Sequence, residues 1–299
     1  MAFNMWSKDK NVDEQPQKNL SKMTSDKANE LLKSLSGGEV KYTKRVIDNV
    51  IVFTGASGGT GVSTVMSNVA HMAANQGLRV LVIDLNIMYP TQHIYFSNGK
   101  YEITKPDLVS YLKGEHAIGE CIEQSGKLSV LYSNNRTLMD SINAEADSAV
   151  TNFEVAIHKL RQLYDLILID CPMKIEHTLC NIAFYLADTI YCVWDEGISS
   201  ITNTEKIRRN MATSGIDAYT KMKVILNKRT DIQYNNYPFQ KLNIELVQIL
   251  PFEQDIIFSG LRSEVFCDKG SSKSKNANAF FNGIVSLTET VMRNGGYVK

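Results

Sequence analysis

The sequence carries no net charge, since Lys plus Arg and Asp plus Glu both number 32. No global field draws the chain to nucleic acid or anionic lipid, and such a contact would need a local patch. Cysteine is sparse: Cys121, Cys171, Cys180, Cys192 and Cys267 form neither a C-x-x-C pair nor zinc-finger spacing. Buried cytosolic thiols are expected instead of a metal or disulfide framework. His71, His93, His116, His158 and His177 are scattered, with no H-E-x-x-H spacing, which argues against a metal hydrolase. The opening stretch "MAFNMWSKDKNVDEQPQKN" lacks the apolar centre of a signal peptide, and no apolar run is long enough to span a bilayer. The expectation is a cytoplasmic protein with no integral membrane segment.

What is present belongs to a globular protein. Over 299 residues, 43% are hydrophobic and 21% charged, enough for a large core and inconsistent with disorder of the whole chain. Residues 1–45 are polar and lysine-rich and read as a flexible N-terminal segment. Within it Ala28, Leu31, Leu32 and Leu35 share one helical face, either a transient helix or a docking helix.

From Val46 the texture changes, and residues 46–299 read as one domain. "VIDNVIVFTG", "RVLVIDLN", "LSVLYSN", "DLILIDCP", "DTIYCVWDE" and "MKVILNK" read as strands, with "ELVQILPF" a short apolar segment near the end. Between them "STVMSNVAHMAANQG", stopped at Gly77, "NFEVAIHKLRQLY", "LCNIAFYLA" and "TNTEKIRRNMATSG" read as helices, and "KPDLVSYLKGEHAIGECIEQ" as helical pieces. The last helix runs through "AFFNGIVSLTETVMR". Its stripe of Phe281, Ile284, Val285, Thr288, Val291 and Met292 lacks a lysine-rich polar opposite face, so it reads as core-packing, not membrane-targeting. Short Val/Ile/Leu runs alternating with helices predict an α/β fold: a doubly wound, mostly parallel sheet with helices on both faces, binding ligands at the carboxyl ends of its strands.

One such end carries the chemistry. In "IVFTGASGGTGVSTVMSNVA", Gly55, Gly58, Gly59 and Gly61 allow backbone N–H groups to converge on phosphate oxygens at a helix N-terminus. Thr60 and Val62 lie within this loop, Ser63 sits where a hydroxyl holds Mg²⁺, and Thr64 follows it. What is missing is the lysine, because Val62 occupies its place. A charge-assisted hydrogen bond is worth about 1.5–3 kcal/mol, so its loss weakens binding about tenfold to a hundredfold without forbidding it. The other reading of the loop is a packing turn.

"SGGTGVST", "RVLVIDLN", "YDLILIDCP", "KVILNK" and "ILPFEQDI", in that order, resemble the MinD/ParA group of deviant P-loop ATPases across residues 46–299. The form without the loop lysine looks most like the CpaE/TadZ branch, the localisation proteins of Tad-type pilus assembly. The resemblance implies ATP and Mg²⁺ as cofactors. It matches Asp84 to the first acidic residue after the second strand and Asp170 to the Walker B aspartate of the Mg²⁺ water shell. Asn227 matches the asparagine that reads adenine, and Pro251 lies in the stretch that closes around the base. Asp84, Asp170 and Asn227 could each instead be simple turn residues.

Departures from the pattern are equally specific. Ser57 replaces the signature lysine that reaches across a dimer, and Asn86 replaces the second acid of D-x-D. With Val62, three contributions to phosphoryl transfer are absent together, so hydrolysis is expected to be very slow or absent. Lys228 and Lys174 are candidate replacement cations. A bacterial tyrosine-kinase relative shares the fold and a segment like "YPTQHIYF", yet only Tyr297 stands in this C-terminal tail. The resemblance implies a homodimer that positions or assembles a polar or membrane-bound machine, a pilus or secretion system, through protein partners. Alternatives are a ParA-like ATPase for DNA partitioning or cargo positioning, and a nucleotide-free interaction scaffold. Lys206, Arg208, Arg209, Lys228 and Arg229 could form a modest patch for nucleic acid, diluted by Glu205 and Asp231.

Overall fold

A computed structural model describes residues 48–87, 89–97, 106–133, 146–172, 178–230, 237–269 and 274–297, all within the unit Arg45–Lys299. The expected flexible segment 1–45 and Lys174 lie outside the described residues.

Eight strands form one sheet in the order β3-β4-β2-β5-β1-β6-β7-β8. The innermost are β1 (Val50–Gly55), β5 (Leu166–Asp170) and β6 (Thr189–Trp194), and every residue in all three is buried. Strands covered on both faces need unbroken apolar runs, which is what VIVFTG, LILID and TIYCVW supply. β2 (Val80–Asp84) and β4 (Leu128–Leu131) extend the sheet on one side. β7 (Met222–Arg229) and β8 (Glu245–Pro251) extend it on the other, all in parallel. The short apolar segment near the end is thus an edge strand. The chain builds outward from β1 through β2 and β4, returns to β5, and then crosses to β6, so the strand order reverses at β1.

One expected helical piece ends differently. "KPDLVSYLKGEHAIGECIEQ" gives two short helices, Leu108–Leu112 and Ile118–Cys121, but its last residues enter β3 (Ile122–Ser125), antiparallel to β4. Gly126, at φ 60°, makes the tight return that forces this pairing. Pairing across a turn overrode a helical reading that rested on local pattern alone.

The long helices follow the sequence pattern. α1 (Val62–Asn75) ends in a left-handed Gly77 at φ 95°, with the Gly77 and Leu78 amides donating to the carbonyls of Ala74 and Ala73. Helices Ala146–Leu163, Thr178–Leu186 and Ile198–Thr213 come next. The last, Lys275–Asn294, packs in the core through Phe280, Ile284, Leu287, Val291 and Met292. Phe281 and Val285, expected on its stripe, are only half-buried, while Phe280 and Leu287 take the inner positions. Gly283 permits this closeness, since a Cβ there would stand 2.6 Å from Leu250 Cδ2. All five cysteines are buried. Among the described residues no helix is long and apolar enough to cross a membrane.

Candidate functional site

The reversal of strand order opens a crevice at the carboxyl end of β1, and the glycine loop fills its rim. Gly59 and Gly61 adopt φ 78° and 92°, conformations that cost a residue bearing a Cβ about 1 kcal/mol or more. Gly61 caps α1 in this left-handed form without a side-chain hydrogen bond. No acceptor among the described residues takes the N–H groups of Gly58, Gly59, Gly61 or Val62. Unpaired amides at a helix N-terminus are what an anion needs.

The loop is braced from β7. Asn227 Nδ2 donates to the Thr60 carbonyl at 2.8 Å, and Lys228 Nζ donates to the Gly59 carbonyl at 2.5 Å. Asn227 is buried, and a Cβ on Gly61 would lie 2.5 Å from its Nδ2. Asn227 therefore stands against the loop with its amide engaged there. Of the two lysines named as candidate cations, Lys228 is the one the described residues place here.

Behind the loop lies a buried polar network. Asp84 and Asp170 are register partners in adjacent parallel strands, and both side chains are almost fully enclosed. Asp84 accepts from the backbone N–H groups of Asn86, Thr91 and Gln92 at 3.1, 2.8 and 2.9 Å. Asp170 accepts from Gln92 Nε2 at 2.5 Å. Ser63 Oγ accepts from Thr91 Oγ1 at 2.8 Å. Burial, and then the charge of Asp170, pushes the Asp84 carboxyl up to about 8, against the pull of its three N–H donors. Burial also raises Asp170, while the polar side chains of Ser63, Gln92 and Thr91 oppose the rise. A buried carboxylate pair without a cation cannot readily hold two negative charges.

Loop and network border one cavity of about 750 Å³, a size suited to a small-molecule ligand. Ser57, Val62, Asn86, Tyr95 and Asp170 line it, as do Phe252, Ile257 and Leu261 from the segment after β8 and from the helix Gln254–Leu261. The structure thus gathers Gly58, Gly59, Thr60, Gly61, Val62, Ser63, Thr64, Asp170 and Asn227 around one space. Asp84 touches this space only through the network. Pro251 pairs with Arg229 at the end of β8, and its successors Phe252 and Glu253 reach the cavity.

Sequence reasoning missed Thr91, Gln92 and Tyr95. Tyr95 shares a hydrogen bond with Thr64, their oxygens 2.8 Å apart, and all three missed residues lie in or just before the short helix Gln92–Phe96. Five residues are too few to show helical periodicity. Three of the five residues of the suggested basic patch are engaged with other side chains. Arg208 is buried over the Tyr219 ring, Arg209 pairs with Glu205, and Arg229 pairs with Glu196.

A family model described as "AAA domain" matches residues 48–224. The chain belongs to this family, as a MinD/ParA-type P-loop ATPase by ancestry. Among curated proteins, an uncharacterized ATP-binding protein of Methanocaldococcus jannaschii is 25% identical over 79% of this chain and 86% of its own length. The septum site-determining protein MinD of Synechocystis is 24% identical over 73% of this chain and 81% of its own. The MinD/ParA fold is equally clear in three dimensions. MinD of Pyrococcus horikoshii, solved with Mg-ADP, superposes with a TM-score of 0.68 at 19% identity, covering 84% of this chain and 99% of that one. A ParA family ATPase of Chlorobium tepidum gives 0.67 at 18% identity, over 81% and 99%.

Proposed function

We propose that this MinD/ParA-family chain binds ATP with Mg²⁺, hydrolyses it very slowly or not at all, and serves as a dimeric positioning or assembly factor for a pilus or secretion system. One observation carries the reading: the amides of the glycine loop are untaken beside Ser63 and Asp170, while positions 57, 62 and 86 bring Ser, Val and Asn to the cavity. The backbone half of a phosphate site is present, and three charged contributions to phosphoryl transfer are not.

Ser63 and Asp170 are oxygen donors of the hard kind Mg²⁺ takes, and Mg²⁺ characteristically uses one or two carboxylates, water and phosphate oxygens. Both face the loop, so they fit a metal held jointly with a nucleotide. Mg²⁺ there would neutralise charge on the phosphates and on the Asp84–Asp170 pair. Asn227, Phe252 and Glu253 then border the space for the base. A homodimer facing across the loops is supported by apolar side chains beside the cavity, with Phe252, Ile257 and Leu261 exposed by 43, 46 and 73%.

Isothermal titration with ATP·Mg²⁺ together with a phosphate-release assay tests the proposal. Tight binding with negligible turnover is expected. Turnover comparable to that of lysine-bearing relatives would overturn the slow-hydrolysis reading and favour a ParA-like ATPase. Absence of binding would favour an interaction scaffold. Genes for pilus or secretion components beside this one are expected, and partition genes in their place would sink the pilus assignment.

A further inference from the structure

We infer that Lys228 is the cation the phosphate loop lacks, supplying from β7 the positive charge that Val62 does not bring to a nucleotide's phosphates. The inference rests on the nucleotide-binding reading and adds a residue to it.

Three independent observations converge on this lysine. The pairing of β7 with β8 shifts register between Leu226 and Arg229: three steps along β7 match two along β8, from Ile249 to Pro251. Lys228 lies in the resulting bulge, and bulges beside sites re-aim side chains. Its φ is 55°, a left-handed conformation that a lysine holds only where its surroundings impose it. The side chain so aimed lines the cavity and lies along the loop, its ammonium on the Gly59 carbonyl and its Cε 3.9 Å from where a Gly61 Cβ would stand.

A tie to one carbonyl does not explain this arrangement. Asn227 already braces the loop at Thr60 without left-handed backbone, and any neutral donor could hold Gly59. An ammonium carries three donors on a flexible stem, so the group bonded to Gly59 has donors left to turn toward an anion on the same loop. The ligand chemistry implied is a polyphosphate, and the lysine should sense the phosphates while ignoring the base.

Calorimetry of the full chain with ATP·Mg²⁺ and with AMP separates the possibilities. Lys228→Met should weaken ATP binding by about tenfold to a hundredfold, the worth of one charge-assisted hydrogen bond, while AMP binding changes little. Adding Val62→Lys to Lys228→Met should restore ATP affinity, showing that the fold survives and that charge is what was lost. Lys241→Met, which removes the same charge just before β8 at the opposite ends of the strands, should bind as wild type. Equal ATP affinity in wild type and Lys228→Met overturns the inference alone. Equal losses for ATP and AMP make the lysine a structural brace and also overturn it. If wild type binds no ATP, the nucleotide-binding reading falls and the inference falls with it.

Discussion

Gln92 and Asp170 are joined directly: Gln92 Nε2 lies 2.5 Å from Asp170 Oδ2, while Gln92 Oε1 accepts from Ser67 Oγ at 3.0 Å. The amide is fixed at both ends, so the carboxylate nearest the phosphate loop is held by a neutral donor. Ser67 belongs to α1, which starts at the loop, and the Gln92 backbone N–H also reaches Asp84. Through its side chain and its backbone N–H, this one residue ties the loop's helix to both buried acids.

Replacing that side chain should cost stability. Gln92→Ala removes a hydrogen bond to a buried charged group, worth about 1.5–3 kcal/mol, and the urea midpoint should fall accordingly. An unchanged midpoint would mean that the network relaxes around the gap and that Gln92 is not its organiser.

Stability should also depend on pH through the acid pair. Asp84 has a folded pKa raised from 3.8 to about 8. A raised carboxyl contributes stability that is fully present below its unfolded value and is lost as pH rises through its folded value. Thermal melting of the nucleotide-free protein should therefore weaken between pH 4 and pH 8 through this term. Asp170→Asn removes the neighbouring charge and should flatten the slope. Parallel profiles for the two proteins would show that the pair is not coupled.

Gly61→Ala should be damaging beyond the loss of a flexible residue. At φ 92° an alanine is strained, and its Cβ would strike Asn227 Nδ2. A loss of about 1–3 kcal/mol is expected from the backbone alone, together with loss of nucleotide binding. A melting temperature equal to wild type would show that the loop has another conformation available.

Val62→Lys in the otherwise native chain should tighten ATP binding by less than it does in Lys228→Met, at most about tenfold, since Lys228 already brings one cation to the loop's amides. Unchanged affinity on adding Val62→Lys both to the native chain and to Lys228→Met would identify the loop as a packing turn. Phosphate release from this variant should remain slow, because Ser57 and Asn86 are untouched.

Much of the fold was legible because its determinants are local. Unbroken apolar runs such as LILID announce strands covered on both faces, and Gly77 announces a helix end. β3 was misread because its pairing with β4 is a contact between strands that the pattern of either strand alone does not express. The glycines and Ser63 pointed to the loop, whereas Gln92 and Tyr95 sit in a helix too short to carry a pattern.

The remaining features depend on distance along the chain. Phosphate-loop geometry follows from glycine spacing, because positive φ is a property of single residues. That Asp84 faces Asp170 follows from β2 lying beside β5, and that Lys228 reaches Gly59 spans 169 positions of sequence. No local preference encodes either meeting. They arise from burying the apolar faces of eight strands in one order, which sets one acid against another and carries a lysine to the loop that has none of its own.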